Sequence, residues 1–285
     1  MHEPEPSSAF GLLAPGLQRQ LYRMGWRSLR PIQEQAIRAW GAGDRAFLVM
    51  AETAGGKTEA AFLPVLSAIA DEPHGSVQAI YVGPLKALIN DQFRRVEDLC
   101  AHLDMPVHRW HGDVSQSRKD ALVKSPSGVL LITPESLESL LVNRSTQLRA
   151  LVSGLRAIVI DELHAFLDSP RGRHLASLLA RLDRYIESPA SVLRFGLSAT
   201  ISDPETAKRF LLPDAADDVR IVHDPGEKKE IQLRVHVYRP PDAPGPPDFP
   251  SSEEEGVVST LPESESPHST EEEPPDPRLD ALSNI

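Results

Sequence analysis

Cysteine is nearly missing from this 285-residue chain: Cys100 is the only one. An internal disulfide and a zinc site built from several cysteines are therefore excluded. Long apolar runs are missing too. No stretch approaches the roughly 20 apolar residues that a membrane-spanning helix needs. Met1 to Phe10 has no basic segment followed by an apolar core, so it does not read as a secretory leader. A cytoplasmic protein with no membrane partner is the expectation. Net positive charge is also lacking, since the formal net charge is −11.

The acidity has one source. Residues 240–285 hold twelve acidic residues and one basic, which leaves 29 of each sign in 1–239 and places the whole net charge in that segment. Eleven of the 26 prolines lie there as well, in stretches such as PPDAPGPPDFP. Few apolar residues and a high net charge prevent such a segment from burying enough surface to order itself. The expected organisation is a folded domain over 1–239 and a disordered Pro/Glu-rich acidic tail over 240–285. With 40% apolar residues the chain can build one sizeable core or two small ones.

What the chain does contain is concentrated in two strings. The apolar run Ala46 to Met50 has the character of a buried parallel strand. It leads into Ala51-Glu52-Thr53-Ala54-Gly55-Gly56-Lys57-Thr58 and then a helical stretch beginning Glu59-Ala60-Ala61. Strand, glycine loop and helix in that order form a phosphate-binding loop. Glycines let backbone N–H groups close around phosphate oxygens, and the helix N-terminus adds partial positive charge. Lys57 would reach the β- and γ-phosphates of a nucleotide such as ATP, and the Thr58 hydroxyl would bind Mg²⁺. Ala51 stands where this pattern usually has its first glycine, which requires a negative φ there. The second string follows the apolar run Leu155 to Ile160. Asp161 and Glu162 lie at the carboxyl end of that strand, where open α/β sheets bind ligands. Asp161 would hold Mg²⁺, and Glu162 would orient and deprotonate the water that attacks the γ-phosphate.

Elsewhere β and α patterns alternate. Strands are expected at Val77 to Gly83, Val107 to Trp110, Gly128 to Thr133, Leu155 to Ile160 and Val192 to Leu197. Helices are expected at Lys86 to Leu103, Pro134 to Val142 and His174 to Ile186. Thr133 is the expected N-cap of the second of these, with Pro134 at its first position. A capping box at Ser202 to Glu205 opens a further helix to Leu212. Pro64 should kink the loop's helix or end its first part. Cys100 falls on a helical apolar stripe with Phe93, Val96, Leu99 and Leu103, as a core thiol. Aliphatic strands in such alternation specify a doubly wound, mainly parallel α/β sheet covered on both faces.

Polar segments recur at the strand ends: Pro84-Leu85-Lys86-Ala87-Leu88, His111-Gly112-Asp113, Thr133-Pro134-Glu135 and Ser198-Ala199-Thr200. Gly25-Trp26 and Leu29-Arg30-Pro31-Ile32-Gln33 stand upstream. In this order they resemble the first RecA-like lobe of superfamily 2 helicases of the DExH type, a DEAD/DEAH-like group, and the wording around the loop resembles the Lhr-like branch. The resemblance covers Phe10 to about Asp224. It implies an ATP-dependent DNA or RNA helicase lobe that binds ATP–Mg²⁺ and single-stranded nucleic acid. On that resemblance Gln33 pairs with the adenine edge, and Phe10 either stacks on the adenine or packs in the core. Pro84, Lys86, Thr133, Pro134 and Glu135 grip the sugar–phosphate backbone. His164, Ser198 and Thr200 couple nucleotide state to strand movement. Such helicases close over ATP with a second RecA-like lobe, and nothing after Asp224 reads as one. The alternatives are a binding module completed by a second polypeptide and a truncated gene product. A P-loop transporter ATPase or small-molecule kinase is disfavoured, because neither requires Gln33, Thr-Pro-Glu and Ser-Ala-Thr together.

Overall fold

The computed structural model describes residues 9–52, 55–70, 75–199, 201 and 203–223. All of them belong to one compact unit, Met1–Lys229. The expected boundary at 239/240 and the acidic tail lie outside the described residues.

Seven strands form one sheet: β1 (Ala46–Met50), β2 (Ala79–Val82), β3 (Val107–Trp110), β4 (Val129–Ile132), β5 (Ala157–Ile160), β6 (Leu193–Ser198) and β7 (Val219–His223). Their spatial order is β3-β4-β2-β5-β6-β1-β7, and each pairing is parallel. The doubly wound expectation holds, and "mainly parallel" becomes wholly parallel among the described strands. Strand β7 had not been expected.

Nine helices accompany the sheet in the described residues: α1 (Pro15–Arg23), α2 (Pro31–Gly41), α3 (Lys57–Ile69), α4 (Lys86–Cys100), α5 (Gln116–Lys124), α6 (Pro134–Asn143), α7 (Leu148–Val152), α8 (Pro170–Leu182) and α9 (Pro204–Leu211). Side chains alternate across a strand, and the register turns that alternation into a rule for the sheet. Tyr81 lies beside Val159, and Phe47 beside Phe195. Odd-numbered residues of β1, β2, β4, β5 and β6 therefore share one face. There Phe47, Val49, Ala79, Tyr81, Leu131, Val159 and Phe195 pack in one cluster with α1 to α4. Even-numbered residues such as Leu48, Ile80, Val82, Leu130, Ile158 and Ile160 pack in a second cluster with α5 to α9. Phe47 and Phe195 stack with centroids 4.5 Å apart.

Proline opens α1, α2, α6, α8 and α9, where its missing N–H leaves no bond unmade. The Thr133 cap is as expected: its hydroxyl accepts the Ser136 N–H at 3.4 Å. Three expectations need correction. Pro64 does not end the first part of α3, which runs on to Ile69 as one element. Phe62, Leu63, Val65 and Leu66 around Pro64 are all fully buried, and this packing outweighs the one lost hydrogen bond. Helix α8 starts at Pro170, because Ser169 caps it by accepting the Gly172 N–H at 3.0 Å. The cap of α9 is Asp203, which accepts from Glu205 and Thr206; Ser202 lies outside the described residues.

Gly172 is held close to the preceding turn: a Cβ on it would lie 1.6 Å from the Phe166 carbonyl oxygen. Alanine normally strengthens a helix over glycine, but here it forces backbone apart. Gly172→Ala should destabilise the fold by about 1–3 kcal/mol and lower the thermal midpoint by several degrees. Gly11→Ala, with no atom within 4 Å of its Cβ position, should change the midpoint by about 1 °C or less. Equal midpoints for the two variants would contradict the packing described.

Cys100 is 4% exposed on α4, as expected, and burial raises its thiol from an ordinary 9.0 to about 12. The folded chain keeps the thiol neutral, while an unfolded chain ionises it at lower pH. This contribution to stability is therefore complete below pH 9.0 and declines as pH rises towards about 12. A thiol reagent at pH 8 should label Cys100 only after denaturant is added, since thiolate is the reacting form. Rapid labelling of the folded chain would show the burial to be wrong.

Candidate functional site

Parallel strands all end at one edge, and there the site residues collect. The loop after β1, the carboxylates after β5 and Ser198 at the end of β6 are adjacent because β6 lies between β1 and β5. The Ala51 N–H donates to the Ser198 carbonyl at 3.3 Å, which ties the loop to β6. Ala51 has no positive φ, as its Cβ requires, whereas Gly56 has φ 87° at the start of α3. A side chain at Gly56 would strike Gln33 Nε2 at 2.9 Å and Arg30 Cδ at 3.1 Å. Gly55 precedes it, Glu52 is exposed, and Thr53 and Ala54 lie outside the described residues.

Lys57 folds over this loop. Its ammonium donates to the Ala51 carbonyl at 2.6 Å and to the Glu52 carbonyl at 3.0 Å. Burial lowers its pKa, while the charges of Glu162 and, next, Asp161 oppose the shift. The loop and the second motif lie at the same edge of the sheet, on either side of β6. Thr58 and Asp161 are buried, at 6% and 5% exposure.

Asp161 is held from two sides. Its Oδ1 accepts the Glu162 N–H at 2.9 Å, and its Oδ2 accepts the Tyr81 hydroxyl. Its own N–H continues the sheet by donating to the Val82 carbonyl at 2.9 Å. Glu162 has φ 49° and ψ 47°, a left-handed conformation that is uncommon without glycine. His164 Nδ1 lies 3.4 Å from Glu162 Oε2 and 3.0 Å from Ser198 Oγ. The structure thus brings His164, Ser198 and Glu162 together; Thr200 lies outside the described residues.

Magnesium chemistry suits these groups. Mg²⁺ takes hard oxygen ligands, keeps several waters and is usually shared with substrate phosphates. A carboxylate and a hydroxyl offer such ligands. Among the described residues no group of three or more His, Cys, Asp or Glu side chains could hold a metal ion.

Gln33 is buried on α2, its Oε1 accepting the Arg30 N–H at 2.9 Å. That bond orients the amide so that Nε2 lies against Gly56, which brings Gln33 to the loop. Phe10 packs edge-to-face on Tyr22, with centroids 5.1 Å apart, and stays partly exposed.

A second group of turns lies further along the same edge. Lys86 pairs with Asp113 at 2.9 Å, joining the turns after β2 and β3, and this bond from Lys86 lowers the Asp113 pKa. Arg171, from the first turn of α8, donates to the Pro84 carbonyl at 2.7 Å and to Glu135 at 2.8 Å, joining the turns after β2 and β4. A cleft of about 460 Å³ is lined by Pro84, Lys86, Gly112, Lys119, Thr133 and Glu135. Pro134, at the head of α6, is buried. Tyr81 and Arg171 were missed from the sequence. Neither belongs to a motif, and both act across strands or helices distant in the chain.

The DEAD/DEAH box helicase family model matches residues 30–209. The chain is 34% identical over 239 residues to the Lhr helicase/probable uracil glycosylase of Mycolicibacterium smegmatis, covering 79% of this chain and 15% of that protein. It is 36% identical over 184 residues to the ATP-dependent helicase Lhr-Core of Methanothermobacter thermautotrophicus, covering 59% of this chain and 21% of that protein. The chain thus spans a minor part of the length of these relatives. Among solved structures, the Mycobacterium smegmatis helicase Lhr bound to ssDNA and AMP-PNP superposes with a TM-score of 0.68 at 32% identity, over 77% of this chain and 28% of that one. The DEAD-box helicase Mss116, at 18% identity and a TM-score of 0.64, shares the fold. With its RecA-like sheet and its loop and carboxylate motifs inside the matched region, the chain belongs to the DEAD/DEAH box helicase family.

Proposed function

We propose that this lobe binds ATP–Mg²⁺ at the loop 51–58 and single-stranded nucleic acid across the turns after β2, β3 and β4, as the ATP-binding lobe of a DNA or RNA helicase. The observation that carries the reading is that the loop after β1 and the carboxylates after β5 flank β6 at one edge of the sheet, where Ala51 and His164 both bond to Ser198. The relative solved with ssDNA and AMP-PNP supports both ligands. In this reading Gln33 contacts adenine, Phe10 lies nearby, Lys57 neutralises phosphate charge, and Thr58 and Asp161 hold the metal. Bound Mg²⁺ supplies charge neutralisation at the phosphates. Glu162 orients the attacking water and takes its proton, and His164 and Ser198 carry the state of the site to β6. Turnover requires a second RecA-like lobe to close over the triphosphate, in cis or from a second polypeptide. Without the arginine such a lobe supplies, hydrolysis slows by about 10³–10⁵. With balanced charge over 1–239, nucleic-acid binding should be weak and salt-sensitive.

Lys57→Ala should weaken ATP binding at least about tenfold, because a ground-state charge contact is lost. Glu162→Gln should keep binding and reduce hydrolysis by about 10²–10⁴. Binding is measured with a fluorescent nucleotide, and turnover with single-stranded nucleic acid and a second-lobe chain present. Unchanged hydrolysis in both variants would place the active site elsewhere.

Arg171→Ala should free the turns at Pro84 and Glu135 from each other. Affinity for a fluorescent single-stranded oligonucleotide should fall at least about tenfold, the effect of one charge-assisted bond, with ATP affinity unchanged. Parallel loss of both affinities would show a general folding defect instead.

A further inference from the structure

We infer that Tyr81 positions Asp161 for magnesium, an inference that rests on the reading of the site as one for ATP–Mg²⁺. Tyr81 is fully buried in β2, amid Ala79, Val159 and Phe195 on the α1–α4 face. A phenylalanine would satisfy that environment; the hydroxyl is what needs a reason. The register supplies one. Tyr81 lies beside Val159 of β5, and Asp161 is two residues further on, so both side chains rise from the same face. A tyrosine is long enough to reach along that diagonal to the carboxylate, and its hydroxyl donates to Asp161 Oδ2.

The ring itself is fixed. Phe62 of α3 stacks on it, with centroids 6.0 Å apart. Tyr81 therefore sits between the helix that carries Lys57 and Thr58 and the carboxylate after β5. Asp161 receives one hydrogen bond on each oxygen, from Tyr81 and from the Glu162 N–H. Each carboxylate oxygen has two lone pairs, so one remains on each for a metal or a metal-bound water. The carboxylate is thereby set in one orientation before any ion arrives. Outer partners that orient metal ligands typically contribute 10–100-fold in metal affinity. Tyr81 touches neither nucleotide nor water in this reading; it acts through Asp161 and is a positioning residue.

The test is Tyr81→Phe in the full chain, which retains the ring and its stacking and removes one hydroxyl. Binding of a fluorescent ATP analogue is titrated with Mg²⁺ and, separately, measured in EDTA. The expected result is a half-saturating Mg²⁺ concentration raised about tenfold, with metal-free affinity within about twofold of the native chain. Asp161→Asn should remove the difference between tyrosine and phenylalanine at 81, as in a double-mutant cycle. An unchanged Mg²⁺ requirement would overturn the inference, as would an equal loss in EDTA. If Tyr81→Phe fails to fold, the native chain carrying ¹³C-tyrosine at position 81 reports instead. The ring carbon bearing the hydroxyl should shift when Mg²⁺ is added to the nucleotide complex, and a silent resonance overturns the inference. Native chain that binds no nucleotide at any Mg²⁺ concentration would reject the ATP–Mg²⁺ reading itself, which separates the two failures.

Discussion

Parallel pairing sends every strand of this sheet towards the same edge, and the rest of the site follows from that constraint. Loops leaving β1, β2, β3, β4, β5 and β6 are brought side by side although they are spread from Ala51 to Ser198. Backbone N–H groups just past a strand end bond to the last carbonyl of the neighbouring strand. The Ala51 N–H bonds to Ser198 and the Asp161 N–H to Val82. Each such bond locks a motif to the next strand. The loop 51–58, the pair of carboxylates and the turns after β2, β3 and β4 then become parts of one surface.

In-register pairing adds a second constraint, on which face each side chain serves. Odd residues of the central strands look towards α1 to α4, and these include the helix that begins at Lys57 and the helix that carries Gln33. Tyr81 and Asp161 share that parity. Even residues look towards α5 to α9, whose α8 contributes Arg171 to the turns at Pro84 and Glu135. The two faces thus serve two parts of the edge: one supports the nucleotide loop, the other braces the turns assigned to nucleic acid.

Much of this was legible in the chain itself. Local signals sufficed for the loop 51–58, for the carboxylates at the end of β5, and for the Thr133-Pro134 helix start, because each depends on neighbours in sequence. The ordered motifs carried the family. The omissions have a common physical cause. Tyr81 matters because β2 lies next to β5, and strands that far apart in sequence announce no adjacency. Arg171 reaches partners 36 and 87 residues away. Helix α5 buries only Leu122, so it has no apolar stripe to reveal it, and α7 is only five residues long. At Pro64 the helix continues rather than ending, amid fully buried neighbours that no short window of sequence displays.

The backbone at Glu162 answers a problem that the carboxylate pair creates. In an extended strand adjacent side chains point to opposite faces, so Asp161 and Glu162 would be divided between the two sides of the sheet. Asp161 nevertheless meets Tyr81 on one side, while Glu162 Oε2 lies 3.4 Å from His164 Nδ1, whose ring also reaches Ser198. The chain leaves the extended conformation directly after Asp161. Glu162 does so at φ 49° and ψ 47°, a left-handed conformation that costs about 1–2 kcal/mol for a residue with a Cβ. The Glu162 N–H bonded to Asp161 Oδ1, and the Ala165 N–H bonded to the Glu162 carbonyl at 2.8 Å, offset that cost. Glycine would adopt this backbone more easily but carries no carboxylate. The left-handed turn thus places a carboxylate where the chain leaves β5, next to the carboxylate of Asp161.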